Sequence, residues 1–405
     1  MKTMAEAGAK MKILFVADGR SPITVNWLRY LVDAGHSVNL VSSYPCAPDL
    51  NLASLHFLPV AFGSLAGDTQ LQQGEGQNSL GGRVKRLARN TVPAGMRTSI
   101  RQWFGPFSLS KAAAELKRIN REIQPDLVHA MRIPFEGMLA AMADLPGALL
   151  ISVWGNDFTL HAPSTPLTRK YTRLALRRAD ALHVDCRRDL RLADNWGYLP
   201  GRPSIVLPTA GGIQAEIFFP GNPGDSFTVI NPRGFRAYVR NDSFFKAIPM
   251  VLERYPQVQF LCPAMEAEPL AMRWVDELQV RDSVQLLPRQ SRWQMAEIFR
   301  RSHVVVSPTT HDGTPNTLLE AMACGCYPVA GDLESIREWI TPEINGSLVD
   351  PGKAQEIASA ICEALERPAL RQQAAQHNAQ MIAERAEYQS VMATAVRFYQ
   401  EILAK

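Results

Sequence analysis

Residues 304–331 read VVVSPTTHDGTPNTLLEAMACGCYPVAG, and the change of pattern inside this stretch decides the fold. Val304 to Ser307 is a short β-branched run that suits a buried strand. Pro315 to Ala323 reads as a helix, and Tyr327 to Val329 as the next strand. A strand, a loop, a helix and a second strand in that order make a crossover unit of a parallel sheet. Thr314 followed by Pro315 predicts an N-cap with proline at the first helical position, so the amides of Asn316 and Thr317 are expected to point unsatisfied towards a ligand. An anion suits such a helix start. Asp312 lies in the loop and Glu320, eight residues later, about one turn into the helix, so the two carboxylates are expected to reach one ligand from different sides. A carboxylate repels phosphate, which makes the pair better ligands for sugar and ribose hydroxyls.

Working outward, the same alternation fills the chain. In the first half, strands are expected at Lys12 to Val16, Val38 to Ser42, Leu127 to Ala130, Leu149 to Val153, Ala181 to Val184 and Ser204 to Leu207. Helical segments fall between them: one closed by Gly35, then Lys111 to Ile123, Glu136 to Met142, Thr168 to Arg178 and Asp189 to Trp196. Residues 208–224 are rich in Pro, Gly and Ala and read as a linker, after which strands and helices restart from Thr228. The expected architecture is therefore α/β, with two doubly wound Rossmann-like domains facing across a cleft. An N-terminal domain spans 1–207, a linker 208–224, a C-terminal domain 225–385, and a closing helix 386–405 packs back on the first domain.

A length of 405 residues suits two or three domains, and 46% apolar with 20% charged residues is the composition of a globular chain. The net charge is +4, yet residues 80–114 hold seven basic residues and no acid, so the basic character is local. That excludes a general nucleic-acid binder and points to one patch facing something anionic. In residues 83–104, basic side chains are interleaved with Val84, Leu87, Ile100, Trp103 and Phe104, a pattern suited to peripheral contact with an anionic membrane, to a polyanionic acceptor, or to the basic face of a domain insertion that packs its apolar residues inward. The six cysteines are scattered, with neither a disulfide framework nor zinc-type spacing, and they read as reduced, buried thiols. No apolar run reaches the length of a membrane span, and the N-terminus lacks the pattern of a leader. The expected location is cytoplasmic, peripheral at the inner face of the membrane.

The passage from His311 to Gly331 resembles the C-terminal motif of the retaining family-four glycosyltransferases of GT-B fold. That motif is Glu-x7-Glu followed by Ala-Met-Ala-x-Gly-x-Pro-Val, and it is matched here by Asp312, Glu320, Ala321, Met322, Ala323, Gly325, Pro328 and Val329. The stretches GHSVNLVS, PDLVHA, SVWGNDF and RRADALHV extend the resemblance into the first half. The resemblance implies a nucleotide diphosphate sugar, UDP- or GDP-linked, bound by the C-terminal domain, with Glu320 on the ribose and Asp312 on the sugar. Gly313, Thr314, Asn316 and Thr317 would complete the donor loop. Three positions depart from the family pattern: Asp312 stands for the usual Glu, Trp154 for a common His, and Gln214 for the Asp of a Gly-Val-Asp motif.

A diphosphate leaving group needs cations, and NPRGFRAYVRND supplies Arg233, Arg236 and Arg240 directly after the first strand of the second domain. Arg233 and Arg240 align with the family's Arg and Lys. In the first half, Asp18-Gly19-Arg20 follows the first strand, where a glycine lets backbone approach a ligand closely. The absence of Gly-x-Gly-x-x-Gly there weighs against a dinucleotide oxidoreductase. Asp18, Gly19, His129 and Trp154 are the expected acceptor contacts, and Asp157 joins Asp312, Arg233 and Arg240 as a catalytic candidate. Neither an Asp-x-Asp motif nor a His/Cys cluster is evident, so neither metal nor cofactor is expected.

The function expected from these residues and this resemblance is metal-independent transfer of a hexose-type sugar, with retention, to a saccharide, lipid-linked or small-molecule acceptor. A GT-B-like epimerase or phosphorylase, and a non-catalytic nucleotide-sugar-binding protein, are the other readings of the same motif.

Overall fold

The computed structural model describes residues 10–60, 103 and 108–405. They form two compact units, one reaching residue 211 and taking in residues 392–405 as well, the other spanning 212–391.

The first unit is built on seven strands: β1 (Lys12–Ala17), β2 (Ser37–Ser42), β3 (Ser54–Phe57), β4 (Leu127–Met131), β5 (Ala148–Val153), β6 (Ala181–Val184) and β7 (Ser204–Val206). All pair in parallel, in the order β3-β2-β1-β4-β5-β6-β7. The connecting helices include α1 (Pro22–Asp33), α2 (Leu109–Ile123), α3 (Met138–Ala143), α4 (Pro166–Arg178) and α5 (Arg187–Trp196). Helix α1 shows why the local sequence folds as it does. Pro22 opens it, Trp27, Leu28 and Leu31 face the core, and Gly35 ends it at φ 84°, a conformation that favours glycine.

The second unit holds β8 (Thr228–Ile230), β9 (Gln259–Pro263), β10 (Val284–Leu287), β11 (Val304–Ser307), β12 (Tyr327–Gly331) and β13 (Ser347–Val349), parallel in the order β10-β9-β8-β11-β12-β13. Its helices are α6 (Asn241–Leu252), α7 (Pro269–Glu277), α8 (Arg292–Arg300), α9 (Asn316–Ala323), α10 (Ala354–Glu366) and α11 (Pro368–Arg385). The last helix, α12 (Tyr388–Leu403), gives its residues from 392 onward to the first unit. Successive residues of β11 serve opposite faces of the sheet. Val304 and Val306 join Phe244, Phe245, Phe260 and the apolar side of α10, while Val305 joins Leu318, Leu319 and Met322 of α9. Burial on both faces explains why this strand reads as an unbroken apolar run. Each such large side chain, fully buried, contributes about 1.5–3 kcal/mol.

In each sheet the strand order reverses once, between β1 and β4 and between β8 and β11. The loops leaving the carboxyl ends of those strands are where an open α/β sheet offers a ligand site. They carry Asp18 to Arg20 and Arg132 in the first unit, and Arg233 and Asp312 in the second.

Three elements differ from the sequence expectation. The edge strands β3 and β13, four and three residues long and largely half-exposed, were not expected. The helix expected from Glu136 starts at Met138. A single wide turn, Ile133–Gly137, precedes it, and within it the buried Glu136 carboxylate accepts from Ser43 Oγ at 2.5 Å and from the Phe135 amide at 2.8 Å. The six cysteines are free thiols, all buried except Cys46, which is half-buried. Among the described residues no helix is long and apolar enough to cross a membrane. The basic stretch 83–104 lies outside the described residues except for Trp103, whose side chain is exposed.

Candidate active site

In the second unit, the loop after β8 is tied down by two asparagines. Asn231 Oδ1 accepts from the Arg233 amide at 3.2 Å, Asn231 Nδ2 donates to Asn241 Oδ1 at 3.0 Å, and Asn241 Nδ2 donates to Gly234 O at 3.0 Å. The same loop is pinned to the loop after β11 by backbone bonds from Arg240 N to Pro308 O (2.8 Å) and from Thr310 N to Tyr238 O (2.9 Å). These fastenings bring Arg233 to Asp312. Its Nη2 donates to Asp312 Oδ2 at 2.6 Å and its Nη1 to Thr317 Oγ1 at 3.0 Å. The Arg233 and Asp312 side chains are 6% and 16% exposed, which makes this a largely desolvated ion pair whose two members depend on each other.

Helix α9 begins at Asn316. Its N-cap is Pro315 and not Thr314 as the sequence suggested. Thr314 is occupied elsewhere, its Oγ1 accepting from Trp339 Nε1 at 3.1 Å, and Gly313 is buried beside it. Proline brings no side-chain cap, so the first amides of α9, at Asn316 and Thr317, have no carbonyl one turn earlier within the helix to bond. Several buried polar atoms around this helix start have no partner among the described residues: Arg233 Nε, Ser307 Oγ, Thr309 Oγ1 and Asn316 Oδ1. Folded proteins rarely leave such atoms unsatisfied, and these four stand at the switch point of the sheet.

Glu320 sits one turn further along α9, half-buried. No hydrogen bond to its carboxylate is present among the described residues. Burial pushes its carboxyl up to about 7 against the opposing field of Arg292. Of the three loop arginines, Arg233 alone joins Asp312. Arg236 donates to Tyr238 Oη at 2.9 Å, and Arg240 makes a two-point contact with Asp242, both bonds 2.8 Å, on a partly exposed surface. No hydrogen bond links Arg240 to Asp312 or Glu320 among the described residues.

The expected acceptor residues of the first unit are placed very differently from one another. Asp18 receives Arg20 through the amide, Nε and Nη2, each at 3.0 Å, and the Arg20 guanidinium lies 3.6 Å from the Tyr44 ring centroid. Gly19 follows from packing and not from ligand approach. A Cβ there would meet Cys46 Sγ at 2.4 Å, Leu40 at 3.0 Å and Ser42 Oγ at 3.1 Å. His129 is withdrawn as an acceptor contact. It is 0% exposed, and its two ring nitrogens bond Tyr399 Oη and Ser152 Oγ, both at 2.7 Å. Asp157 is corrected in the same sense. Its side chain is 0% exposed and accepts from Arg132 Nε (2.9 Å), the Ile133 amide (3.1 Å) and the Trp154 amide (3.1 Å). Burial lifts its carboxyl to about 6, with the Arg132 charge and these donors opposing the shift. It holds the loops after β4 and β5 together and cannot itself touch an acceptor. Trp154 is half-exposed beside Arg132, whose guanidinium lies 5.1 Å from the indole.

Two residues of these sites were not anticipated. Arg132, with its backbone at φ 124°, stands at the switch point of the first sheet, and nothing in the string MRIPFEG marks it. Arg292 opens α8, and its signal was present: Ser291 and Gln294 form a capping box, with bonds of 2.9 and 3.3 Å, that places the helix start at Arg292. Among the described residues one trio of ligand-type groups also lies close together, Asp185, Cys186 and Asp189. Arg188 donates to Asp189 Oδ1 at 2.9 Å and Thr209 Oγ1 to Asp185 Oδ2 at 3.0 Å, while burial and the two carboxylates push the Cys186 thiol upward.

Residues 213–381 match the family described as Glycosyl transferases group 1, and residues 19–210 match the Glycosyl transferase 4-like domain. Between them the two matches take in most of the chain. This chain belongs to the glycosyltransferases. Among curated relatives, this glycosyltransferase is 28% identical over 193 residues to the D-inositol 3-phosphate glycosyltransferase of Mycolicibacterium smegmatis, covering 44% of each chain. The match thus spans less than half the length of that relative. Solved structures match over nearly the whole glycosyltransferase. Sucrose-phosphate synthase from Thermosynechococcus elongatus superposes with a TM-score of 0.71 at 16% identity, covering 98% of this chain and 100% of that one. Anabaena HepE in complex with UDP and glucose gives 0.71 at 14% identity, covering 96% and 100%. The fold is GT-B.

Proposed function

We propose that this glycosyltransferase moves a hexose-type sugar from a nucleotide diphosphate sugar to a saccharide, lipid-linked or small-molecule acceptor, with retention of configuration and without a metal. The observation that carries this reading is the constellation at the start of α9. There a buried Arg233 joins Asp312 and Thr317 beside the first amides of α9, which the helix itself leaves unpaired, at the switch point of the second sheet, and Glu320 follows one turn later, its carboxylate with no hydrogen-bond partner among the described residues. In this reading Glu320 accepts from the ribose diol, Asp312 from the sugar hydroxyls, and Arg233 with the amides of Asn316 and Thr317 receives the diphosphate. Gly313 and Thr314 shape the loop. The anomeric C–O bond to the diphosphate breaks as the acceptor oxygen bonds to the same carbon on the same face, and the acceptor proton passes to the departing phosphate oxygen. The chain's contribution is charge placed in advance where the leaving group becomes negative.

The UDP and glucose bound to Anabaena HepE support a UDP-linked donor here. In the first unit Asp18 and Trp154 remain the acceptor contacts, now with Arg20 and Arg132 beside them. Asp157 acts by positioning, and Arg240 is a second cation for the diphosphate. Residues 1–207 and 225–385 are proposed as the acceptor and donor domains, and residues 83–104 as the segment meeting an anionic membrane from the cytoplasmic side.

Calorimetric titration with UDP, GDP and ADP, in EDTA, tests the donor site. One nucleotide is expected to bind, and Glu320→Ala to weaken it by about 1–3 kcal/mol. No binding by any of them, or equal binding to Glu320→Ala, removes this reading. Binding that returns only with added metal removes its metal-independent part. A product formed without acceptor, or with inorganic phosphate in its place, marks an epimerase or a phosphorylase instead.

A further inference from the structure

Glu320 combines two properties that conflict with a ligand role at neutral pH. Its half-buried carboxylate has no hydrogen-bond donor among the described residues, and burial carries its proton affinity up to about 7. A protonated carboxyl presents an O–H where a diol needs an acceptor, so a site of this kind needs a device that keeps the group ionised. The charge that opposes burial is the Arg292 guanidinium, on the first residue of α8, which packs against α9.

Arg292 is held from the segment that opens the second unit. Its Nη1 donates to Gln214 Oε1 at 2.9 Å, its guanidinium lies 5.5 Å from the Phe218 ring, and Gln214 is itself buried. An amide oxygen fixes a guanidinium without bringing a negative charge to it. A carboxylate at 214 would both attract Arg292 and offset part of the field that reaches Glu320. Other charged and titratable groups stand on α9 and the elements packed against it, and of these the Arg233–Asp312 pair reaches Thr317, one turn before Glu320. Cys324, on the same helix, has its thiol pushed to about 12. Further along α8, Arg300 and Glu297 pair at 2.7 Å. On α11, Arg371 donates to Leu365 O at 2.8 Å and Arg385 to Glu338 O at 2.9 Å.

We propose that Gln214 and Arg292 are positioning residues that set the ionisation of Glu320, and through it the pH range in which the glycosyltransferase takes up its nucleotide sugar. This rests on the reading of Glu320 as the ribose ligand. Glutamine at 214 is then a functional choice, because it orients Arg292 without itself adding a carboxylate beside it.

The test follows the carboxyl directly in the full chain, by NMR of carbon-13-labelled glutamate, with the Glu320 resonance assigned by its loss in Glu320→Gln. Arg292→Gln is expected to move the Glu320 midpoint upward by about one pH unit. Arg292→Lys returns it most of the way, and Gln214→Asp raises it while leaving Arg292 in place. In parallel, affinity for UDP-glucose is measured from pH 5.5 to 8.5, a range in which its diphosphate does not titrate. The pH of half-maximal affinity is expected to follow the carboxyl midpoint in each variant. A midpoint unmoved by both Arg292→Gln and Gln214→Asp overturns the inference, whatever UDP-glucose does. Midpoints that move as expected while UDP-glucose affinity ignores them overturn the ribose role of Glu320 and leave the electrostatic link standing. Should Arg292→Gln fail to fold, Arg292→Lys and Gln214→Asp decide.

Discussion

Each unit of this glycosyltransferase encloses a polar cluster, and the two are completed in opposite ways. In the first unit Tyr399, His129, Ser152 and His183 form a chain. Leu207 O can only accept from His183 Nε2 (2.9 Å), so His183 Nδ1 is an acceptor and Ser152 Oγ donates to it (2.8 Å). Ser152 Oγ in turn accepts from His129 Nε2, and Tyr399 Oη donates to His129 Nδ1, both at 2.7 Å. Every proton in this chain has one allowed place. Phe15 and Trp27 close round it, and both imidazoles stay neutral because burial drives them down, His183 to about 4. In the second unit, Arg233 Nε, Asn316 Oδ1, Ser307 Oγ and Thr309 Oγ1 are buried without partners among the described residues, and no described residue donates to the Glu320 carboxylate. A self-satisfied cluster holds a fold, whereas four unsatisfied atoms gathered round one helix start leave room for a partner from outside the chain.

Arg233 gives the largest test of that contrast. Arg233→Ala leaves Asp312 in a mostly buried place without its cation, which is expected to cost about 3 kcal/mol of stability and about 1000-fold or more in turnover. The double variant Arg233→Ala with Asp312→Asn regains much of the stability and none of the turnover. Unfolding midpoints and steady-state rates on the same preparations separate the two. If the double variant also recovers turnover, Arg233 serves the fold and the second cluster is no different in kind from the first.

Ser152→Ala is the counterpart in the first unit. It strands His129 Nε2–H and His183 Nδ1 together, with an expected loss of about 2–4 kcal/mol and no change in KM for donor or acceptor. Tyr399→Phe strands one acceptor and costs about half as much. A change in KM at full folding would move this chain from structure into the site.

The clusters also answer pH with opposite sign. His183 has a folded pKa below its unfolded value, so its contribution is complete above about 6.5 and is lost as pH falls from there towards 4, at about 1.4 kcal/mol per unit. Glu320 has a folded pKa above its unfolded value. Its contribution is complete below about 4.5 and is lost as pH rises through about 7. Glu320→Gln therefore raises the unfolding midpoint at pH 8 and loses that advantage by pH 5, while weakening nucleotide binding, and thermal melts at the two values check it. Equal midpoints at pH 8 would show that Glu320 is at ease in its place and not held in readiness for a ligand.

Much of this was legible in the chain. The βαβ rhythm gave the parallel sheets because a strand buried on both faces is written as a solid apolar run, as in Val304 to Ser307. Asp312, Thr317 and Glu320 come to one loop and helix because their spacing fixes them there. What escaped were relations between distant segments. Sequence spacing places His129 at a strand end but carries no information on Tyr399, which comes 270 residues later to take its Nδ1. Asp157 looked like a site acid because a buried carboxylate binding two amides and an arginine has no local signature. Gly19 reads in the sequence as a place where backbone approaches a ligand, yet the atom a Cβ would meet there is Cys46 Sγ.

Arg240 gives the smallest effect and the finest discrimination. Its ion pair with Asp242 is 39% and 36% exposed, so Arg240→Ala and Asp242→Asn should each change stability by no more than about 0.5 kcal/mol. The two variants part company at the donor. If Arg240 is a diphosphate cation waiting on Asp242, Asp242→Asn releases it and tightens UDP binding several-fold, whereas Arg240→Ala weakens it about tenfold, an effect that shrinks as salt is raised. If both variants bind UDP like the unaltered protein, Arg240 is a helix-start residue paired with the acid two positions on. The diphosphate charge then rests on Arg233 and the amides of α9 alone.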